Sequence, residues 1–377
     1  MRPGRVVLSR GAIAAVAAAF LLMGMVVASY GPLLEHLGRR FGVSLPVAGA
    51  TLTVQFAGGL AGVLISMRTV ERFAARVTVL VSCGIAALGL IVVALAASWP
   101  LFLAGVFVFG VAFGGLDLSV NQVVAYSEGT RRTSLLNALN SAYPAGAVAG
   151  PILVSAFAAA HFSALFAFAA AAWLLLMPGV LGITGKVPVG SEPSRRPGTL
   201  VAIFVLAFVL YVAVEVGTGG WMTSHLESGG FRSDRAATLT SAFWLALVTG
   251  RLLIALVPAS VAEGRIVLAA SGATTVALGL ATVGVLAPFA YVAAGLAMAP
   301  IFPTGIVWLA KLRPGDSRST AWLYPAASVG GALGPGAIGL VVAQAGVGSV
   351  PAVLAVVAAA MFGVFLSAFS GPHRESR

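Results

Sequence analysis

Two acidic residues lie inside long apolar stretches of the sequence, where a charged side chain is costly. Asp117 stands in the run GGLDLSVNQVVA, and Glu215 stands in the run YVAVEVGTGGW. A charge at mid-membrane costs at least about 2.5–3.5 kcal/mol on insertion scales, so such acids mark functional positions by default. Two kinds of chemistry are open to them, namely uptake and release of a proton and hydrogen bonding to a polar solute.

Asn121 follows Asp117 by four residues, so a helix places the carboxyl and the amide on one face. Together they can take up a proton and hold a polyol, because the amide and the protonated acid both donate hydrogen bonds. A packing hydrogen bond between helices is the alternative. We predict that Asp117 takes up and releases a proton and that Asn121 binds a polar solute.

The face of the segment around Glu215 also carries Tyr211 and Thr218, at spacings of four and three residues. A phenol, a carboxylate and a hydroxyl on one face suit a sugar, so we predict all three as substrate ligands. Trp221 is predicted in the interfacial aromatic belt, with a stacking platform for a sugar ring as the alternative. The neighbouring glycines mark either close helix packing or a break in the helix; they are Gly217, Gly219 and Gly220.

Polar and aromatic side chains in other apolar segments are further candidates for substrate binding. Each of them alone is more often structural than functional. They are Gln55, Asn137, Asn140, Tyr143, Trp244 and Tyr324.

The composition excludes a soluble protein. Of the 377 residues, 59% are hydrophobic and 9% charged, and the mean hydropathy is +1.03, whereas soluble domains carry about 25% charged residues. One cysteine and four scattered histidines exclude a disulfide framework and a zinc site. The net charge of +11 is spread between apolar runs rather than gathered in one polar domain, so we expect a lipid bilayer and no nucleic acid as partner.

The apolar runs are long enough to cross a membrane. A bilayer core about 30 Å thick needs roughly 20 apolar residues in a helix. Cutting the sequence at charges, Pro and Gly predicts twelve spans, at 11–34, 46–67, 77–98, 101–126, 134–158, 162–182, 199–224, 236–257, 265–284, 287–310, 319–344 and 349–370. We expect the first to be retained as a span rather than removed as a signal peptide.

The basic residues predict the orientation of these spans. With both termini in the cytoplasm, 18 of the 22 Lys and Arg residues face inward, Arg251 among them. The four in outer loops are Arg39, Arg40, Arg232 and Arg235. We therefore expect a multi-pass protein of the cell membrane, plasma or inner.

The chain is predicted to consist of two halves. A stretch rich in Pro, Gly, Ser and charge, 183–198, separates an N-terminal six-helix bundle, 1–182, from a C-terminal one, 199–377. A Gly-x3-Gly-Pro motif in the fifth span, Gly146 to Pro151, recurs in the eleventh, Gly330 to Pro335. Such repeats predict transporter architecture with a binding site between the bundles near the midplane.

The motifs resemble the major facilitator superfamily and, within it, the fucose-galactose-glucose:proton symporter family. Similar stretches are GGLDLSVNQ, YVAVEVGTGGW, AFWLALVTGR, APIFPTG and GGALGPGAIGL. The resemblance implies the major facilitator fold, an all-α membrane protein, with proton coupling at Asp117 and with Asn121 in the family's acid-x3-Asn pattern. Gly31 stands where fucose-type members carry an acid, so coupling would rest on Asp117 alone.

These observations predict a proton-coupled transporter that imports a neutral sugar by alternating access. Its partners would be a small solute, a proton and the bilayer; it would need no cofactor, and we expect a monomer. A proton-coupled exporter of drugs or metabolites is the alternative. A membrane-embedded enzyme is disfavoured because the spans carry no HExxH, GxGD or Ser/His pair. A structural or receptor role would not need the acids in both halves.

Overall fold

The structure is a computed structural model that describes residues 6–69, 72–125, 127, 132–186, 198–258, 260–313, 319–320 and 322–370. The chain divides into two compact units, Met1–Glu192 and Pro193–Arg377. The division falls inside the predicted linker, most of which lies outside the described residues.

The described part of the first unit is built of long helices with one short pair of strands. Its elements are β1 (Val7–Leu8), α1 (Arg10–Phe41), α2 (Leu45–Thr69), α3 (Ala75–Leu95), α4 (Trp99–Ala125), α5 (Arg132–Leu153), α6 (Ala159–Val180) and β2 (Ile183–Thr184). A π-helical turn, Val154–Ala158, joins α5 to α6.

In its described residues, the second unit contains helices of 12 to 30 residues. They are α7 (Thr199–Ser228), α8 (Ser233–Leu253), α9 (Glu263–Leu280), α10 (Ala287–Met298), α11 (Ile301–Leu312), α12 (Leu323–Ala345) and α13 (Val350–Ser370). Ala299 and Pro300 interrupt the tenth predicted span, so that α10 and α11 together form one apolar stretch, Ala287–Leu312.

The predicted fold is confirmed: the protein is an all-α membrane protein with twelve transmembrane helices in two six-helix bundles. Among the described residues, ten stretches are long and apolar enough to span a bilayer. Two further spans are less apolar: the α5 region, with a shorter apolar stretch at Ser141–Phe157, and α9.

The first helix continues beyond its predicted end at residue 34. It runs to Phe41 and stops where Gly42 adopts the left-handed conformation, with φ 67°. The Gly42 N–H donates to the carbonyl oxygen of Gly38, which closes the helix end. Charged residues such as Glu35 mark where a span leaves the apolar layer, whereas the glycine decides where the helix ends.

The repeated Gly-x3-Gly motif brings two helix backbones together in each unit. A Cβ atom on Gly146 of α5 would lie 1.9 Å from the Leu21 carbonyl oxygen of α1. A Cβ atom on Gly330 of α12 would lie 2.2 Å from the Val209 carbonyl oxygen of α7. Only glycine permits these approaches, so the fifth and eleventh spans pack in the same way against the first helix of their own unit.

The short strand pair was not predicted. Val7 and Leu8 pair antiparallel with Thr184 and Ile183, and the Ser9 N–H donates to the Gly182 carbonyl oxygen at 3.1 Å. β1 thus joins the start of α1 to the segment that follows α6.

Candidate functional sites in the two units

The first candidate site is the acid of α4 with its neighbouring amide. Asp117 is half-buried, and the Asn121 Nδ2 atom donates to its Oδ1 at 3.0 Å. The same nitrogen donates to the Asp117 main-chain oxygen at 2.8 Å. The amide is therefore fixed against the helix and holds the carboxyl in one orientation.

Close packing of α4 on α2 positions this acid. A Cβ atom on Gly114 would lie 1.9 Å from the Gly59 carbonyl oxygen, and one on Gly110 would lie 2.2 Å from that of Gln55. The Gln55 side chain is fully buried, and neither amide atom has a hydrogen-bond partner among the described residues. An unpaired buried amide is costly, so Gln55 is available to a polar solute or to water.

The other predicted residues of the first unit are only partly connected to Asp117. The Tyr143 ring lies 5.9 Å from that of Phe113, one turn before Asp117, in an edge-to-face arrangement. Tyr143 is half-buried. The side chains of Asn137 and Asn140 lie outside the described part of the chain.

The second candidate site is an ion pair between α7 and α8. The Arg251 Nη2 atom lies 3.5 Å from Glu215 Oε1, and the side chains of Arg251 and Glu215 are 18% and 12% exposed. From the sequence, Arg251 is predicted as a cytoplasmic-side charge, and its pairing with Glu215 is not predicted. A signal was available, because an acid in mid-span needs a compensating charge and α8 carries an arginine next to a packing glycine, Gly250.

Tyr211 completes this site. Its buried hydroxyl faces both Glu215 and Arg251 but forms no hydrogen bond of normal geometry with any described residue. The Tyr211 ring lies 6.0 Å from that of Phe302, which follows the interruption between α10 and α11. The ring centroids of Phe208 and Phe302 are 5.1 Å apart. The rings of Phe208, Phe302 and Tyr211 therefore form an aromatic wall beside the ion pair.

Two more predicted residues, Thr218 and Trp244, belong to the same pair of helices. The interface between α7 and α8 is called the seam. A Cβ atom on Gly219 would lie 2.5 Å from the Trp244 ring, so this glycine makes room for the indole. The helix α7 is continuous through its glycines, so they do not mark a break, and close packing explains Gly217 and Gly219. The Thr218 hydroxyl and the Trp244 indole N–H are buried without a partner among the described residues.

The interfacial position predicted for Trp221 is wrong. Its side chain is fully buried, and its indole N–H donates to the Pro335 carbonyl oxygen at 3.2 Å. The close approach of α12 to α7 at Gly330 and Gly334 brings this carbonyl within reach. Tyr324, also predicted as a ligand, is half-buried at the start of α12.

The two units therefore carry different chemistry. In the first, Asp117 accepts a hydrogen bond from a neutral amide on the same helix. The second holds an acid and a base that compensate each other, with buried hydroxyl and indole groups nearby. The first arrangement suits proton binding, and the second suits a polar solute without net charge.

The chain is similar to a known family of membrane transporters and to a protein of that kind. Residues 16–293 match the family model of the Major Facilitator Superfamily. The human "Sodium-dependent glucose transporter 1" is 23% identical over 372 residues, which cover 86% of this chain and 72% of that protein.

Solved transporters share the fold at low identity. A D-xylose-proton symporter is 15% identical with a TM-score of 0.76, covering 96% of this chain and 97% of the other. A nucleoside transporter is 15% identical with a TM-score of 0.74, covering 96% and 100%. The predicted resemblance is confirmed at the level of the superfamily, with support for a sugar-type transporter. The chain is a multi-pass membrane transporter, not an enzyme, and it belongs to the Major Facilitator Superfamily.

Proposed function

We propose that this transporter imports a neutral sugar together with a proton. The observation that carries the proposal is the cluster of Glu215, Arg251 and Tyr211 beside an aromatic wall. A carboxylate accepts hydrogen bonds from sugar hydroxyls, a guanidinium donates to sugar oxygens, and a phenol does either. The aromatic rings offer an apolar surface on which the apolar face of a sugar ring can pack.

Similarity to a human protein named as a glucose transporter supports a sugar as the solute. Thr218, Trp244, Gln55 and Tyr143 are proposed as further ligands, since the first three have buried polar atoms without partners among the described residues. Asn121 is proposed mainly to orient the Asp117 carboxyl, because its amide nitrogen donates to that residue, and to bind the solute in addition. Asn137, Asn140 and Tyr324 stay proposed from their sequence positions.

Asp117 is proposed as the site of the coupled proton. It is a half-buried acid in mid-span, and the described hydrogen bond to its carboxylate comes from a neutral amide. Its charge is therefore set by binding or release of a proton rather than by a fixed counter-ion.

We also propose that both termini and the central linker face the cytoplasm of a cell membrane. Without Arg251, which is paired with Glu215, 17 basic residues lie inside and four outside, and this partition supports the orientation. Reporter fusions after residues 190 and 230 are expected to report opposite sides, with residue 190 in the cytoplasm. Fusions that report one common side would contradict the orientation.

The function is tested by uptake into vesicles that contain the purified protein. A pH gradient, acid outside, is expected to drive accumulation of a labelled neutral hexose or pentose, and protein-free vesicles serve as the control. Accumulation that needs a sodium gradient instead would reject the proton as the coupling ion and retain a sugar as the solute. Uptake of drugs or metabolites against an opposed proton gradient, with no sugar transported, would establish the exporter alternative.

A further inference from the structure

The ion pair between α7 and α8 is looser than a direct charge-assisted hydrogen bond. Arg251 Nη2 and Glu215 Oε1 are 3.5 Å apart, whereas such bonds are usually about 2.7–2.9 Å long. The Arg251 Nε atom is buried and has no hydrogen-bond partner among the described residues. The guanidinium thus keeps hydrogen-bonding capacity that Glu215 does not use.

Without an acid beside it, such a guanidinium would be a site for the carboxylate of a solute. Its planar fork matches two carboxylate oxygens, and burial strengthens that preference because water competes less. A neutral polar group, the Tyr211 hydroxyl, also faces it. In the described part of the chain, Glu215 is the salt-bridge partner of Arg251.

We propose that Glu215 is a built-in counter-ion that fills the anion position of Arg251, so that the site accepts neutral hydroxylated solutes and rejects those carrying a carboxylate. The proposal rests on the proposed function for its solute class. A sugar acid that entered the site would meet Glu215 as a like charge and would find the guanidinium already neutralised. Arg251 is thereby a specificity-determining residue, and Glu215 decides which charge the solute must have.

Removing the Glu215 carboxylate should reverse this selectivity. In Glu215→Gln the buried Arg251 has lost its counter-ion, so a solute that brings its own carboxylate gains a charge-assisted contact. We expect the affinity for glucuronate itself, measured by calorimetric titration, to rise about tenfold or more over the wild type, whereas the affinity for glucose should not rise. An unchanged glucuronate affinity, or a wild type that binds glucuronate as tightly as glucose, would overturn the proposal.

A second measurement does not depend on sugar binding. Glu215→Ala opens space beside Arg251 that acetate can enter, and a bound anion stabilises the folded state by mass action. Its melting temperature is expected to rise with acetate concentration when chloride is replaced at equal ionic strength. The wild type and the double variant Glu215→Ala with Arg251→Gln serve as controls and are expected to show no such rise.

The sugar titration and the acetate measurement together distinguish the proposed solute from the counter-ion role of Glu215. A wild type that binds no sugar, together with acetate rescue of Glu215→Ala, would reject the proposed solute and retain the counter-ion. If Glu215→Ala folds only when purified in acetate, that recovery supports the proposal. If acetate raises neither its yield nor its melting temperature beyond the effect on the controls, the counter-ion role is rejected.

Discussion

Asp117→Asn is expected to abolish accumulation of substrate driven by a pH gradient while leaving exchange of substrate between the two sides. The asparagine keeps the shape of the side chain and cannot bind or release the coupled proton. Exchange requires a carrier that moves with its solute bound, and it does not require release of the proton. Loss of the first activity with retention of the second is therefore the signature of a coupling residue.

The size of the effect follows from the driving force. One pH unit corresponds to about 1.4 kcal/mol, which supports roughly tenfold accumulation when one proton accompanies each solute. The variant should stay at equal concentrations inside and outside. Asp234→Asn is the matched control, because it makes the same change in an acid whose side chain is 52% exposed at the start of α8. Full gradient-driven accumulation by Asp117→Asn would exclude it as the coupling residue.

Removing either partner of the Glu215–Arg251 pair should strongly destabilise the second unit. Each of Glu215→Gln and Arg251→Gln leaves a buried charge without its counter-ion, a loss of about 3–5 kcal/mol. The double variant removes both charges and should recover most of that loss. This pattern would show that the two groups act as one neutral unit.

Thermal unfolding of the four proteins in one detergent measures this coupling. Thr223→Val and Thr240→Val provide the comparison, since these buried hydroxyls are 2.8 Å apart in the same seam and carry no charge. Each threonine change should cost only about 0.5–1.5 kcal/mol. Destabilisations at Glu215 and Arg251 that simply add in the double variant would mean that the two side chains do not interact.

The number of spans could be predicted from the sequence because bilayer thickness fixes how long an apolar helix must be. The interruption at Ala299 and Pro300 was not predicted, since hydropathy continues unbroken through it. The true end of α1 was also missed, because it depends on the conformation of Gly42 rather than on polarity. Hydropathy locates the membrane, whereas backbone conformation decides where a helix stops.

Contacts in the sites were predictable only where they are local. Asp117 and Asn121 meet because residues four apart on a helix are neighbours. Arg251 was missed as a partner of Glu215 because their contact is made between two helices, and its position near the end of a span is equally typical of an orientation signal. Trp221 was misplaced for the same reason, since its burial depends on how closely α12 approaches α7.

The pairing of β1 with β2 has a consequence for biogenesis. The ribosome makes Val7 and Leu8 before the six helices of the first unit, and it makes their partners Ile183 and Thr184 after them. A nascent chain that stops short of residue 183 therefore lacks the partner of its first strand, however many helices have entered the bilayer. The strand pair can therefore close only after the sixth helix has been made, so its closure follows synthesis of the helices that it encloses in the sequence.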